Sequence, residues 1–94
     1  MTNADPVTVQ KVEDRLCRFF EQELEWDGDP AELVGESALA LPSILDSEEL
    51  LEMVTFVEDE YGIEIDDEEL TADNFSTLPD VARLVNRKVS SEGD

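Results

Sequence analysis

Side chains that perform nucleophilic or metal-dependent chemistry are scarce in this chain, which has no histidine and one cysteine, Cys17. Histidine activation of a serine or cysteine nucleophile is therefore excluded, and so are zinc sites built from histidine and cysteine. Carboxylates are abundant, but 94 residues enclose little cleft in which the pKa of one member of a carboxylate pair could be raised. The composition predicts a protein that is not an enzyme and has no catalytic residue.

Calcium binding must be considered for so acidic a chain. An EF-hand loop needs a glycine at its sixth position and a glutamate at its twelfth. The segments that begin at Asp27 and Asp66 have neither. We therefore expect no specific metal site.

The hydroxyl of Ser47 is the remaining group with a clear chemical use. It follows a long stretch of turn-forming residues, and Asp46 and Glu49 match a capping box with aspartate in the cap position. A serine exposed at a helix N-terminus is accessible to a modifying enzyme, and a phosphate attached there would face unpaired backbone N–H groups. For an isolated Asp-Ser pair, the simpler interpretation is that Ser47 helps to cap the helix.

Three longer helices are predicted from apolar residues that recur at three- and four-residue steps. Asp5 as a cap and Pro6 at the first helical position begin the first helix, which runs to about Leu24. The second begins at Asp46 or Ser47 and ends at Gly62. The inward-facing residues of the three helices are Val9, Val12, Leu16, Phe19 and Phe20, then Leu50, Val54, Val57 and Tyr61, then Leu78, Val81, Ala82, Val85 and Val89.

Two connectors join these helices. Segment 25–45 is predicted to be a long loop that apolar residues pin to the core, with Trp26 as a half-buried anchor. Segment 63–75 is predicted to be an extended connector followed by a short helical turn, with Leu70 and Phe75 in contact with the core. The chain is thus expected to be a small all-α four-helix bundle, three helices longer and one short, forming one domain over residues 1–94 with an ordered core at about 6–89.

The charge is strongly negative, since 26 Asp and Glu residues oppose 6 Lys and Arg residues, and no base lies between Phe19 and Ala82. Such a surface repels phosphate backbones and anionic lipids, so we expect neither nucleic acid nor membrane as a partner. It should attract basic patches on other proteins. A lone cysteine and the lack of a signal peptide favour a cytoplasmic location, and we expect a monomer.

A family resemblance rests on the residues around Ser47, which read LPSILDSEELLEMVTFVEDEYGIEI. They combine an Asp-Ser pair, an acidic amphipathic helix and an aromatic-Gly-Ile-Glu-Ile exit. In these features the chain resembles the phosphopantetheine-attachment region of acyl and peptidyl carrier proteins. A less specific resemblance extends over nearly the whole chain.

The resemblance implies a free-standing carrier of acyl or aminoacyl thioesters. In that family the serine of the Asp-Ser pair accepts 4'-phosphopantetheine from coenzyme A, which assigns Ser47 as the attachment site and Asp46 as the adjacent motif residue and cap. Partner enzymes recognise acidic and apolar residues of the helix that follows. The matching positions here are Glu48, Glu49, Leu51, Glu52, Met53, Thr55, Glu58 and Asp59.

The implied partners are a phosphopantetheinyl transferase, an acyl- or aminoacyl-loading ligase, and synthase or transferase enzymes with basic docking patches. The family usually has an apolar residue directly after the serine, where this chain has Glu48. For that reason we favour specialised biosynthesis, polyketide, nonribosomal or related, over primary fatty acid synthesis. The cargo stays open, because the selectivity of such carriers lies mainly in their partner enzymes.

Two other interpretations use the same charge. An unmodified acidic helical adaptor for protein interactions would need the acidic helix but not the serine. A nucleic-acid mimic that blocks DNA-binding proteins is supported by charge alone and would bind without dependence on Ser47.

Overall fold

The computed structural model describes residues 8–92, and within that range the chain forms helices and turns without a strand. The elements are α1 (Val9–Gln22), a 3₁₀ turn (Pro30–Leu33), α2 (Leu41–Ile44), α3 (Ser47–Tyr61), a second 3₁₀ turn (Asp67–Glu69) and α4 (Leu78–Glu92). This confirms the all-α four-helix class predicted from the sequence. In this part of the chain no helix has the length and hydropathy that crossing a bilayer requires.

The start of α1 differs from the prediction. Thr8 has extended backbone angles, φ −122° and ψ 161°, and its hydroxyl accepts a hydrogen bond from the Lys11 N–H at 3.2 Å. Thr8 is therefore the N-cap, and the prediction that the helix already includes residue 8 is wrong. The predicted cap Asp5 and the following Pro6 lie outside the described residues.

Trp26 anchors the chain where α1 ends. Glu25 adopts a left-handed conformation, φ 55°, and the backbone N–H of Trp26 donates to the carbonyl of Phe20 at 2.9 Å. The Trp26 ring then meets the ring of Phe20 edge to face, with centroids 6.3 Å apart. The ring is partly buried, so the structure agrees with the predicted role of a loop anchor.

The long segment between α1 and α3 is held to the bundle by buried leucines. Leu33 and Leu41 are fully buried, and the Leu41 N–H donates to the carbonyl of Ser76 at 2.7 Å. The prediction of a pinned loop is correct, but the single turn of α2 within it was not predicted. Pro42 lies in the first turn of α2, where its missing N–H breaks no helical bond.

The core consists of apolar residues from α1, α3 and α4, closed by the two connectors. The packing of α1 along α4 forms its centre, and the rings of Phe19 and Phe56 join α1 to α3 by stacking at 4.4 Å between centroids. No polar or charged residue is among the buried residues of the described chain. The fully buried side chains are Val12, Leu16, Phe20, Leu33, Leu41, Met53, Val57, Leu78, Val81, Ala82 and Val85.

The connector after α3 is fixed at both ends. Gly62 has φ 64° and ends α3 in the left-handed conformation predicted for it, and Ile63 is buried directly beyond. The Ile65 N–H donates to the Glu58 carboxylate at 2.8 Å, which ties the connector back to α3. Leu70 was predicted to contact the core, but 39% of its surface is exposed; that prediction is wrong, whereas Phe75 is buried as expected.

An ion pair joins the second 3₁₀ turn to α4. Lys88 Nζ donates to both carboxylate oxygens of Glu69, at 2.8 and 3.1 Å, and Glu69 also accepts a hydrogen bond from the Asp66 N–H at 2.9 Å. These contacts hold the pKa of Glu69 below its ordinary value, the hydrogen bond from Lys88 being the main cause. The ion pair thus ties the second 3₁₀ turn to α4, whereas residues 70–73 directly after it are exposed.

Candidate functional site

The junction between the long loop and α3 is built by a capping box. Asp46 has extended backbone angles, and its carboxylate accepts a hydrogen bond from the Glu49 N–H at 2.8 Å. The Glu49 carboxylate accepts in return from the Asp46 N–H at 3.2 Å. The Asp46 carbonyl accepts the first helical bond, from the Leu50 N–H at 2.9 Å. Asp46 is therefore the N-cap and Ser47 is the first residue of the helix.

Ser47 is exposed at this junction. Because the carboxylate of Asp46 already supplies the capping bond, the structure does not assign capping to the Ser47 hydroxyl. The simpler interpretation considered for the Asp-Ser pair is therefore not supported. The serine hydroxyl lies in solvent at the positive end of a helix of 15 residues, as the sequence suggested.

The outward face of α3 carries most of the residues proposed for partner contact. The exposed members recur at helical spacing and form one stripe that begins beside Ser47; they are Glu48, Leu51, Glu52, Thr55 and Asp59. Leu51 has 58% of its surface exposed, so this acidic stripe contains one large apolar side chain.

Three proposed contact residues lie elsewhere. Met53 is fully buried in the core, and its assignment as a contact residue is corrected because its side chain faces the bundle and not the solvent. Glu49 and Glu58 are partly buried, and each carboxylate is engaged within the chain, in the capping box and with the Ile65 N–H respectively.

A small apolar cleft that the sequence did not predict opens on another side of α3. Its volume is about 180 Å³, and its lining residues are Pro42, Leu50, Leu70, Thr71, Ala72 and Phe75. Leu50 lies three residues after Ser47, close to one helical turn along the same side of α3. The exposed Leu70 belongs to this cleft, and since the sequence placed Leu70 against the core, no signal in the sequence indicated the cleft.

The bases of the described chain lie on α1 and α4, and α3 contains none. Arg15 pairs with Glu60 at 2.9 Å, Arg83 pairs with Asp80, and Lys88 pairs with Glu69. The exposed stripe on α3 is thus free of a basic side chain of its own helix, and its negative field extends into solvent.

Cys17 and the acidic clusters offer no reactive centre. Burial raises the pKa of the half-buried Cys17 thiol to about 11, so the thiol stays protonated near neutral pH. Within residues 8–92 no group of His, Cys, Asp or Glu side chains is arranged to hold a metal ion.

A helical bundle that presents one serine at the start of an acidic helix has the architecture of a small carrier domain. No family model matches the chain. It is similar to the acyl carrier protein of Thermosynechococcus vestitus, with 36% identity over 63 residues, which is 67% of this chain and 75% of the relative. The chain belongs to the acyl carrier protein family, and the membership predicted from the sequence is confirmed.

Proposed function

We propose that this protein carries acyl or aminoacyl groups as thioesters on a 4'-phosphopantetheine arm attached to Ser47. The observation that carries the proposal is the exposed hydroxyl of Ser47 at the first residue of α3. This hydroxyl is not used for capping, because the carboxylate of Asp46 makes the capping bond. Membership of the acyl carrier protein family supports a carrier that has no catalysis of its own.

The residues present suit a phosphodiester-linked arm. The hydroxyl of Ser47 is exposed, and the N–H groups of the first turn point toward the same end of α3. When attached, the arm supplies a terminal thiol that holds the acyl group. Within the transferase, Ser47 Oγ would attack the pyrophosphate of coenzyme A, so that an Oγ–P bond forms as the P–O bond to adenosine 3',5'-bisphosphate breaks. The serine proton would pass to a base, and adenosine 3',5'-bisphosphate would leave.

The apolar cleft supports an acyl cargo that is sheltered only in part. Its volume of about 180 Å³ is small beside the roughly 300–1,000 Å³ typical of sites that enclose a small molecule. A short acyl chain would find apolar walls at Leu50 and Phe75, whereas a long chain would extend into solvent.

The stripe on α3 is proposed as the docking surface for the transferase, the loading ligase and downstream synthase or transferase enzymes. Its carboxylates would steer basic patches toward Ser47 and make association weaker as salt rises. Because Glu48 stands directly after the serine, we place the protein in specialised biosynthesis rather than primary fatty acid synthesis.

Intact-mass measurement tests the proposal. The purified protein is incubated with coenzyme A, Mg²⁺ and a broad-specificity phosphopantetheinyl transferase. Wild type should gain the mass of one phosphopantetheine, and Ser47→Ala should gain nothing. Ser43→Ala is the matched control, since Ser43 of α2 is also exposed but its hydroxyl donates to the carbonyl of Ala40, the N-cap of α2. This variant should be modified like wild type. No gain with several transferases would favour the unmodified adaptor.

A further inference from the structure

An open depression lies where the C-terminal end of α1 meets the outward face of α3. Its volume is about 630 Å³. The residues that line it, called here the α1–α3 depression, are Phe19 from α1, Glu23 at the C-cap of α1, and Glu48, Leu51, Glu52 and Thr55 from α3. It thus includes the start of the acidic stripe beside Ser47 and continues onto a second helix.

The apolar part of the α1–α3 depression is held in a fixed shape. Phe19 is almost fully buried, and its ring stacks on that of Phe56 with centroids 4.4 Å apart. Leu51 stands beside it with 58% of its surface exposed. A single exposed leucine is ordinary, but one that borders a concave surface with an aromatic wall offers contact area to an apolar side chain from outside.

The rim of the α1–α3 depression is negative and lacks a base. Glu23 lies on the α1 side, and Glu48 and Glu52 lie on the α3 side. Arg15, which pairs with Glu60 of α3, does not line the depression. Three carboxylates around an apolar centre match a partner surface in which Lys or Arg residues flank an apolar side chain.

We propose that the enzymes acting on the Ser47 arm dock across the α1–α3 depression, with Glu23, at the C-cap of α1, as a contact residue beside the stripe on α3. The inference rests on the proposed function. It adds a second helix to the docking surface, and it specifies a partner surface in which basic side chains flank an apolar one. Contacts to α3 alone would leave the partner able to rotate about the axis of that helix. A carboxylate on α1 removes that freedom and orients Ser47 toward the active site of the partner.

The test uses the broad-specificity transferase as the partner and measures two quantities. Mass gain on wild type, with coenzyme A present, tests attachment at Ser47. Affinity for the immobilised transferase is measured separately in a Ser47→Ala background, which cannot be modified, with Glu23→Lys added. Glu21→Lys is the matched control, because Glu21 is an exposed glutamate in the last turn of α1 that does not line the depression. Glu52→Lys is the positive control on α3.

We expect Glu23→Lys to weaken binding roughly three- to tenfold, as Glu52→Lys does, and Glu21→Lys to stay within about twofold of the background. The difference between Glu23→Lys and the background should shrink in high salt. If wild type gains the arm but Glu23→Lys binds like Glu21→Lys, the two-helix surface is wrong and the carrier function stands. If wild type gains no mass, the carrier function fails and this inference fails with it.

Discussion

Replacing Asp46 with alanine separates the two roles that adjacent residues hold at the start of α3. The change removes the carboxylate that accepts from the Glu49 N–H at 2.8 Å. Of the two hydrogen bonds of the capping box, only the one from the backbone N–H of residue 46 to the Glu49 carboxylate can still form. Loss of such an N-cap destabilises a protein by about 1 kcal/mol. For a domain of this size, that corresponds to a fall in Tm of roughly 4–8 °C.

Ser47→Ala should behave differently, because the structure assigns no capping bond to its hydroxyl. We expect its free energy of unfolding to stay within about 0.5 kcal/mol of wild type. Asp59→Ala serves as the control for removing an exposed carboxylate from the same helix; near the C-terminus of α3 it should be neutral or slightly stabilising.

Urea unfolding followed by far-ultraviolet circular dichroism measures all three variants, with the slope of the transition compared to verify that the same surface is exposed. The reasoning predicts that only Asp46→Ala loses stability. If Ser47→Ala lost as much as Asp46→Ala, the hydroxyl would be part of the cap, and the argument that it is available for modification would be refuted.

Three further predictions concern charge and burial. Lys88→Met should lower the free energy of unfolding by about 1 kcal/mol at neutral pH, since the pair with Glu69 is bidentate but its side chains remain 17% and 28% exposed, so solvent screens it. Because the pKa of Glu69 is lowered in the folded state, this contribution is present above the ordinary carboxyl pKa and lost as pH falls through the folded value. Urea titrations at neutral and acid pH should show the difference from wild type shrinking. Arg18→Met, which removes an exposed base of α1 that does not act on Glu69, should show no such difference. Cys17, with a pKa of about 11, should react with iodoacetamide far more slowly in the native protein than in urea at neutral pH, and equal rates would contradict its burial. Tm should rise on addition of NaCl or Mg²⁺, because 26 acidic residues oppose 6 bases; an unchanged Tm would show that the acids are already compensated.

The ends of α3 could be predicted from the sequence because each depends on residues close together in the chain. Asp46 and Glu49 form their capping box within one turn, and Gly62 ends the helix through its own backbone angles. These local interactions form independently of how the rest of the chain packs. The exposed position of Ser47 follows from them directly.

The rotation of α3 about its axis could not be predicted in the same way. Leu51 and Met53 both stand on the flanks of the apolar stripe in the sequence, yet Leu51 is exposed and Met53 is fully buried. The stacking of Phe56 on Phe19 fixes which flank faces α1, and that contact joins residues far apart in the chain. The α1–α3 depression depends on this packing, so no local pattern indicated it.

The short helical turn predicted in segment 63–75 is present as the 3₁₀ turn Asp67–Glu69, but α2 escaped prediction. A single turn such as α2 is too short to show periodicity, and its proline reads as a loop signal. Leu70 was assigned to the core because it is apolar, but it follows a 3₁₀ turn whose position is set by the pair between Glu69 and Lys88. Hydrophobicity alone does not show which side of a connector faces the bundle.

The bond from the Ile65 N–H to the Glu58 carboxylate has a consequence for anyone who maps binding by reversing acidic side chains one at a time. Reversal at Glu58 would also remove the acceptor of the Ile65 N–H, and reversal at Glu49 would remove one half of the capping box. Both substitutions would weaken enzyme binding through a local change of structure, so they would mimic hot spots. Only the freely exposed positions, Glu48, Glu52 and Asp59, report on recognition itself.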